Sequence, residues 1–436
     1  VIDTTAPEIS RKSGYDGVEL KGKSGVWFNT NPNMHFTVDD EYLETVKVKV
    51  NDSDDIDMEL GNIYKVPEDN FAEGHNTVKV TTTDIAGNKK VDNFSFNLDS
   101  VAPENVGASI TAPYKEENGK IYFKNNVLVT VTAEDKGSGV ATYTIDGESN
   151  KTGKFSLGSG RHVLTVTDAM GNTTDEVNIT TLLGLDGDEF VIDSEAPVIE
   201  RVDEEKPGYI EKNEDWYSKK PELKYKVSDD NLKNVKIKVN GEEKKVDEVD
   251  GVYSINLGDV TDGEVKVEII ATDNSGNTST ETYTFMLDSA SPVDVKASIK
   301  DEYKEYEGTV YFKKSPEVKV EAKDTGVGLS EVLVNGKAIK DSKFNITNGS
   351  INVVVKDKLG NATKEYSLSE LLGMKGNTFV IDGENPKIVK EKGFAEDLLD
   401  SGKFWFAKVP ELVYSITDDN MQSIKITVNG KEYTPK

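Results

Sequence analysis

The chain has 436 residues, no cysteine, and 79 acidic against 52 basic side chains, for a formal charge of −27. Without cysteine there is no disulfide framework, thiolate nucleophile or cysteine-ligated metal, and the acidic balance excludes nucleic acid and anionic membrane as partners. The length asks for several domains rather than one core, and no run approaches the 18 apolar residues that would suggest a membrane span.

The chain opens on Asp3-Thr-Thr-Ala-Pro7, and the pattern Asp-x-x-x-Pro returns at Asp99, Asp193, Asp288 and Asp382, at intervals of 94–96 residues. A fixed period of this kind marks a tandem array. It divides the chain into units 1–98, 99–192, 193–287 and 288–381, with a shortened fifth, 382–436. A second motif, Asp-x-x-Gly-Asn, closes each full unit at Asp84 to Asn88, Asp168 to Asn172, Asp273 to Asn277 and Asp357 to Asn361. With no initiator Met and a fifth unit lacking that motif, the chain reads as a piece of a longer array.

The units alternate. The first, third and fifth carry Trp27-Phe28, Trp216-Tyr217 and Trp405-Phe406, followed by the acid pairs Asp39-Asp40, Asp229-Asp230 and Asp418-Asp419. The second and fourth carry Tyr122-Phe123 and Tyr311-Phe312, then the glycine-rich runs from Asp135 and Asp324 and a Leu-Leu-Gly segment at Leu182 and Leu371. The genetic unit is therefore the pair, and duplicating pairs lengthens an array without inventing chemistry. Within a unit, segments such as Thr45-Val-Lys-Val-Lys-Val50 alternate apolar and polar at period two, the mark of strands with one face in a core. Gly, Asn and Asp interrupt roughly every ten residues. The expected fold is all-β, immunoglobulin-like sandwiches arranged end to end as an extended rod, with no helix competing.

The junction motif, the Asp-Asp-Asn turns at Asp229 and Asp418, the Val-Asn-Gly hairpins at Val239 and Val428 and the Asp-x-x-Gly-Asn closure together resemble the bacterial immunoglobulin-like repeats of large Gram-positive surface proteins. Unit one departs from that pattern, with Asp40-Glu41-Tyr42 where the other odd units have Asp followed by Asn and then Leu or Met. The resemblance implies an extracellular, cell-surface or secreted stalk that spaces and displays other regions.

In such a sandwich the chain enters at the end where two turns lie, between the second and third strands and between the sixth and seventh. Topology therefore gathers Asp3 with Asp39, Asp40, Asp84 and Asn88, and Asp193 with Asp229, Asp230, Asp273 and Asn277, and it places Asp382 beside Asp418 and Asp419. The even sets are Asp99, Asp135, Asp168 and Asn172, and Asp288, Asp324, Asp357 and Asn361. Each of these has a single acid in the first turn, so weaker sites are expected there. Converging carboxylates need a cation, and calcium takes 6–8 oxygen ligands of this type. The competing reading is turn chemistry alone: Asp and Asn form Asx-turns, Gly supplies positive φ, and Pro fixes an extended exit.

No catalytic set assembles. His35, His75 and His162 occupy no repeated position, and the recurrent Trp residues read as packing rather than sugar platforms. The expected function is a non-catalytic structural stalk, with neighbouring repeats as its partners. The alternatives are an S-layer or filament subunit packing laterally against other surface subunits, and a module binding carbohydrate or host protein, including cell-wall glycans.

Overall fold

The period-two pattern folds as it reads. In Leu43–Val50 the valines at 46, 48 and 50 are buried and the lysines between them point the other way. Each such valine removed from water contributes about 1.5–3 kcal/mol. The computed structural model describes residues 1–392, 399–400, 403–404, 406 and 408–435. In it the chain forms tandem immunoglobulin-like β-sandwiches. Two compact units result, Val1–Ile199 with Val227–Val235 and Ile270–Thr280, and Glu200–Lys226 with Lys236–Ile269 and Glu281–Lys436.

In the first sandwich, Glu8–Ser13, His35–Asp39 and Tyr64–Lys65 form one sheet. The other sheet runs Val18–Glu19, Val26–Phe28, Lys89–Leu98, Gly74–Asp84, Leu43–Val50 and Ile56–Asp57. Met34, Phe36, Val48, Val80 and Phe96 fill the space between. The hairpin of Val18–Glu19 with Val26–Phe28 joins the last strand in parallel, Trp27 beside Asn97. The same parallel joint recurs at Tyr122 beside Val191, Trp216 beside Met286 and Tyr311 beside Val380. Trp27 and Trp216 are buried at this joint, and their indole N–H groups have no hydrogen-bond partner. Trp405 lies outside the described residues.

The even sandwiches depart from an all-strand reading. Their Leu-Leu-Gly segments form short helices, Ile179–Leu182 and Leu368–Leu372, that bury Ile179 and Leu368 in the core. Asn178 caps the first by accepting from Thr180 N, and Gly373, at φ 70°, ends the second. Helices of four or five residues are too short to show a 3.6-residue period, which is why the sequence pattern hid them. Among residues 382–435 the described strands form three two-stranded pieces, and Ile388 and Val428 stay exposed.

Two polar devices, one buried and one half-buried, stand beside the cores. His162, nine-tenths buried, is flanked at Nδ1 by Asp146 Oδ2 at 2.6 Å and at Nε2 by Gly158 O at 3.0 Å. Counted from the following strand end, Ile351 takes this place in the fourth sandwich. In the third, Arg201 forks onto both oxygens of Asp203 at 2.8 Å and lies 4.2 Å from the Tyr283 ring centroid. Tyr283 in turn donates to Asp215 at 2.6 Å. Lysine keeps the charge but not the fork. Arg201→Lys is therefore expected to weaken the strand Leu223–Ser228 by about 1–3 kcal/mol, read as faster native-state amide exchange there with the first sandwich unchanged.

Candidate metal centres

The strands Gly74–Asp84, Val163–Asp168, Gly263–Asp273 and Asn352–Asp357 each end on an aspartate, and the Asp-x-x-Gly-Asn motif folds around it. Asp84 Oδ1 accepts from Asn88 N and its Oδ2 from Asn88 Nδ2, both at 2.8 Å. The same pair of bonds, at 2.7–2.8 Å, joins Asp168 to Asn172, Asp273 to Asn277 and Asp357 to Asn361. The glycine before each asparagine has φ between 86° and 91°, a conformation other residues adopt only with strain.

The asparagine amide donates once more, to the backbone of the incoming linker. Asn88, Asn172, Asn277 and Asn361 Nδ2 reach the carbonyls of Asp3, Asp99, Asp193 and Asp288 at 3.2, 2.8, 2.9 and 2.8 Å. Nδ2 thus faces only acceptors, so these asparagines serve as donors that tie linker to tip. With the carbonyl held, the linker aspartate side chain falls beside the two acids already there. Carboxylate oxygens lie within 4.8 Å of one another in the groups Asp3, Asp40 and Asp84; Asp99, Asp135 and Asp168; Asp193, Asp229 and Asp273; and Asp288, Asp324 and Asp357.

In the first and third units only one acid of the expected pair joins the group. Asp39 sits in a strand opposite Glu8 and is exposed, and Asp230 is exposed too. Asp40 and Asp229 are the equivalent residues, each accepting from the N–H two positions on, Tyr42 at 2.8 Å and Asn231 at 2.7 Å. The match between odd units is therefore one residue off the reading by acid pairs, because an Asx-turn is set by the acid two positions before the bonded N–H, Asp40 in one unit and Asp229 in the other. In the fifth unit Asp418 accepts from Asn420 N at 2.8 Å and Asn420 Nδ2 reaches Asp382 Oδ2 at 3.1 Å, while Asp419 is exposed. Even tips gather three carboxylates just as odd ones do, so acid number does not rank them as the sequence suggested.

The linker aspartate is held differently in the two types. Asn231 Nδ2 donates to Asp193 Oδ2 at 2.9 Å. In the even tips backbone N–H groups of the glycine-rich loop do this, Ser138 to Asp99 at 2.6 Å and Val327 to Asp288 at 2.8 Å. A Cβ on Gly137 or Gly326 would overlap that carboxylate, which accounts for the glycine.

The electrostatics are unfavourable for a cation-free site. Burial raises the pKa of Asp135, Asp229 and Asp288; backbone N–H bonds oppose it, from Gly139, from Asn231, and from Val327 and Ala290 in turn, and the charges of the neighbouring acids raise it further. Asp84 goes the other way. Burial pushes it up, but the Asn88 side chain and the N–H groups of Asn88, Gly87 and Ala86 outweigh that and hold it low. Two oxygens bound to one calcium at 2.3–2.6 Å lie at most about 5 Å apart, so the observed spacing fits one shared ion. An all-oxygen set suits calcium or magnesium rather than zinc.

Residues 194–289 match the family model of a bacterial Ig-like domain, Big_13. No curated protein matches the chain. Among solved structures, a tetra-tandem repeat from the extending region of a large adhesion protein is 16% identical, over 78% of this chain and 96% of that one, with a TM-score of 0.29. A Ca2+-stabilised adhesin with which an Antarctic bacterium reaches out and binds ice is 14% identical over 86% and 100%, with a TM-score of 0.26. The protocadherin GammaB4 extracellular domain is 11% identical over 94% and 74%, with a TM-score of 0.31.

Removing the asparagine amide leaves Asp273 buried without its strongest donor and frees the linker. Asn277→Ala is expected to cost about 1–3 kcal/mol and to speed amide exchange across residues 193–197, whereas Asp230→Ala leaves both unchanged.

Proposed function

We propose that the chain is a non-catalytic spacer segment of an extracellular bacterial surface protein, made of five repeats with the boundaries 1–98, 99–192, 193–287, 288–381 and 382–436, whose junctions calcium stiffens into an extended rod. The observation that carries this reading is the recurrence of one three-carboxylate group at the same place in four successive sandwiches. A catalytic pair would be expected to break the repeat symmetry, and these acids follow it. In each group one carboxylate belongs to the linker and two to the sandwich it leads into, so an ion bound to all three would brace the linker. Asp3, Asp99, Asp193 and Asp288 would hold it from the linker. Asp40 with Asp84, Asp135 with Asp168, Asp229 with Asp273 and Asp324 with Asp357 would hold it from the tips. When bound, the ion supplies the positive charge that the converging carboxylates lack. The chain itself orients the ligands, through the asparagine amide and the Asx-turns.

Extracellular modules bind calcium with Kd of about 10⁻⁴–10⁻³ M, so such a segment would be braced outside a cell. Equilibrium dialysis against millimolar calcium should count four ions per chain, with Asp229→Asn removing one and Asp230→Asn none. Unchanged binding in Asp229→Asn, or no binding in the parent chain, would contradict the proposal. The proton competes first at the raised carboxyls. Metal-free, Asp135, Asp229 and Asp288 destabilise the fold at neutral pH and cease to do so as pH falls through their raised pKa values. The gain in thermal stability from calcium is therefore expected to shrink as pH falls into the range of these raised carboxyls, read as melting curves with calcium and with chelator that converge in acid.

A further inference from the structure

Two of the tips carry a cation supplied by the chain itself. In the second sandwich it is Lys23, from the turn of the hairpin in the sandwich before. Its Nζ donates to Gly137 O at 2.6 Å, lies 5.0 Å from the Trp27 ring centroid, and stands 3.6 Å from where a Cβ on Gly139 would be. In the fourth sandwich it is Lys358, from the loop of that sandwich's own Asp-x-x-Gly-Asn motif. Its Nζ lies 3.0 Å from Glu211 Oε2, 5.3 Å from the Tyr209 ring centroid and 4.0 Å from the Cβ position of Gly328.

Gly139 and Gly328 are the same position of the Asp-x-Gly-x-Gly loop, each at φ 89°. The two ammonium groups therefore occupy one place in the repeat, although they come from opposite sides of the junction and from unrelated sequence positions. Ala169 stands in the second sandwich where Lys358 stands in the fourth, immediately after the strand-ending aspartate. The surroundings of the place are the same in kind. An aromatic ring of the preceding hairpin provides one wall, a glycine without a side chain provides another, and an oxygen acceptor completes it. A ring face, an acceptor oxygen and nearby carboxylates all favour an ammonium group.

We infer that the space beside the second glycine of this loop is an ammonium site, filled by a lysine from whichever side offers one, that fastens the tip of each even sandwich to the hairpin of the odd sandwich before it. The third tip makes different contacts: Lys233 bonds Glu117 at 3.0 Å, and Lys115 Nζ stands 3.7 Å from the Cβ position of Gly276, a glycine of the Asp-x-x-Gly-Asn motif rather than of an Asp-x-Gly-x-Gly loop, so the device belongs to the odd-to-even junctions. In the second sandwich the Lys23 charge also opposes the rise in the Asp135 pKa, as a cation at this place should. The lysine fastening does not depend on the calcium reading and should persist in chelator.

Hydrogen–deuterium exchange of the full chain in chelator tests it, because the loop amides are themselves bonded: Ser138 N to Asp99 and Gly139 N to Asp135. Lys23→Met should raise exchange across residues 135–139 roughly three- to tenfold and leave 324–328 unchanged, and Lys358→Met should do the reverse. Adding Ala169→Lys to Lys23→Met should restore protection at 135–139, since the lysine then arrives from the other side. Unchanged core exchange in Val163–Asp168 shows that the second sandwich is still folded. If that core exchange rises in Lys23→Met, the decision passes to Lys358→Met, read at 324–328 against Asn352–Asp357. Unchanged loop exchange in a folded lysine variant, or failure of Ala169→Lys to restore it, would overturn the inference.

Discussion

The junctions depend on one side-chain amide. In each full repeat the last asparagine of Asp-x-x-Gly-Asn donates through a single nitrogen to a buried carboxylate of its own tip and to the backbone carbonyl of the linker. The first bond shapes the turn, and the second fixes where the chain enters. The linker aspartate is carried to the tip as a consequence, and three carboxylates meet within 4.8 Å. Like charges so close are costly unless a cation or donors compensate. The tip thus creates an electrostatic problem by solving a mechanical one.

The two repeat types answer that problem with different chemistry. The third and fifth repeats spend an asparagine side chain on the linker carboxylate, as Asn231 does on Asp193 and Asn420 on Asp382. The even tips wrap the carboxylate in backbone N–H groups, which requires glycine because a side chain would overlap it. Neither arrangement removes the cost: burial first, and the neighbouring acids after it, still raise Asp229, Asp135 and Asp288. That residual cost at three tips, with three carboxylates gathered at all four, is the physical basis for proposing a shared divalent ion.

Much of this could be read before any coordinates. The Asp-x-x-x-Pro period marks the repeats, the valine–lysine alternation of Leu43–Val50 marks a half-buried strand, and sandwich topology brings Asp3 to Asp84 across 81 positions. The losses have specific causes. Adjacent acids look equivalent in a sequence, but only the first of Asp229-Asp230 closes the Asx-turn, and Asp39 belongs to a strand instead. Counting acids within one turn set the even tips lower, but with Asp39 and Asp230 outside the odd groups each tip gathers three carboxylates. The buried His162 with Asp146 stands alone in the array, so no repeat pattern points to it. The lysines escape motif reading because one place in space is filled from two different places in the chain.

Small-angle X-ray scattering of this chain, first with millimolar calcium and then with excess chelator, tests the central claim most directly. The account predicts a longer, stiffer particle of unchanged mass in calcium, and the same comparison made with Asp229→Asn should show a smaller gain. Identical profiles in both solutions would contradict it, leaving the acids as turn formers and the asparagine amides as the whole of the junction.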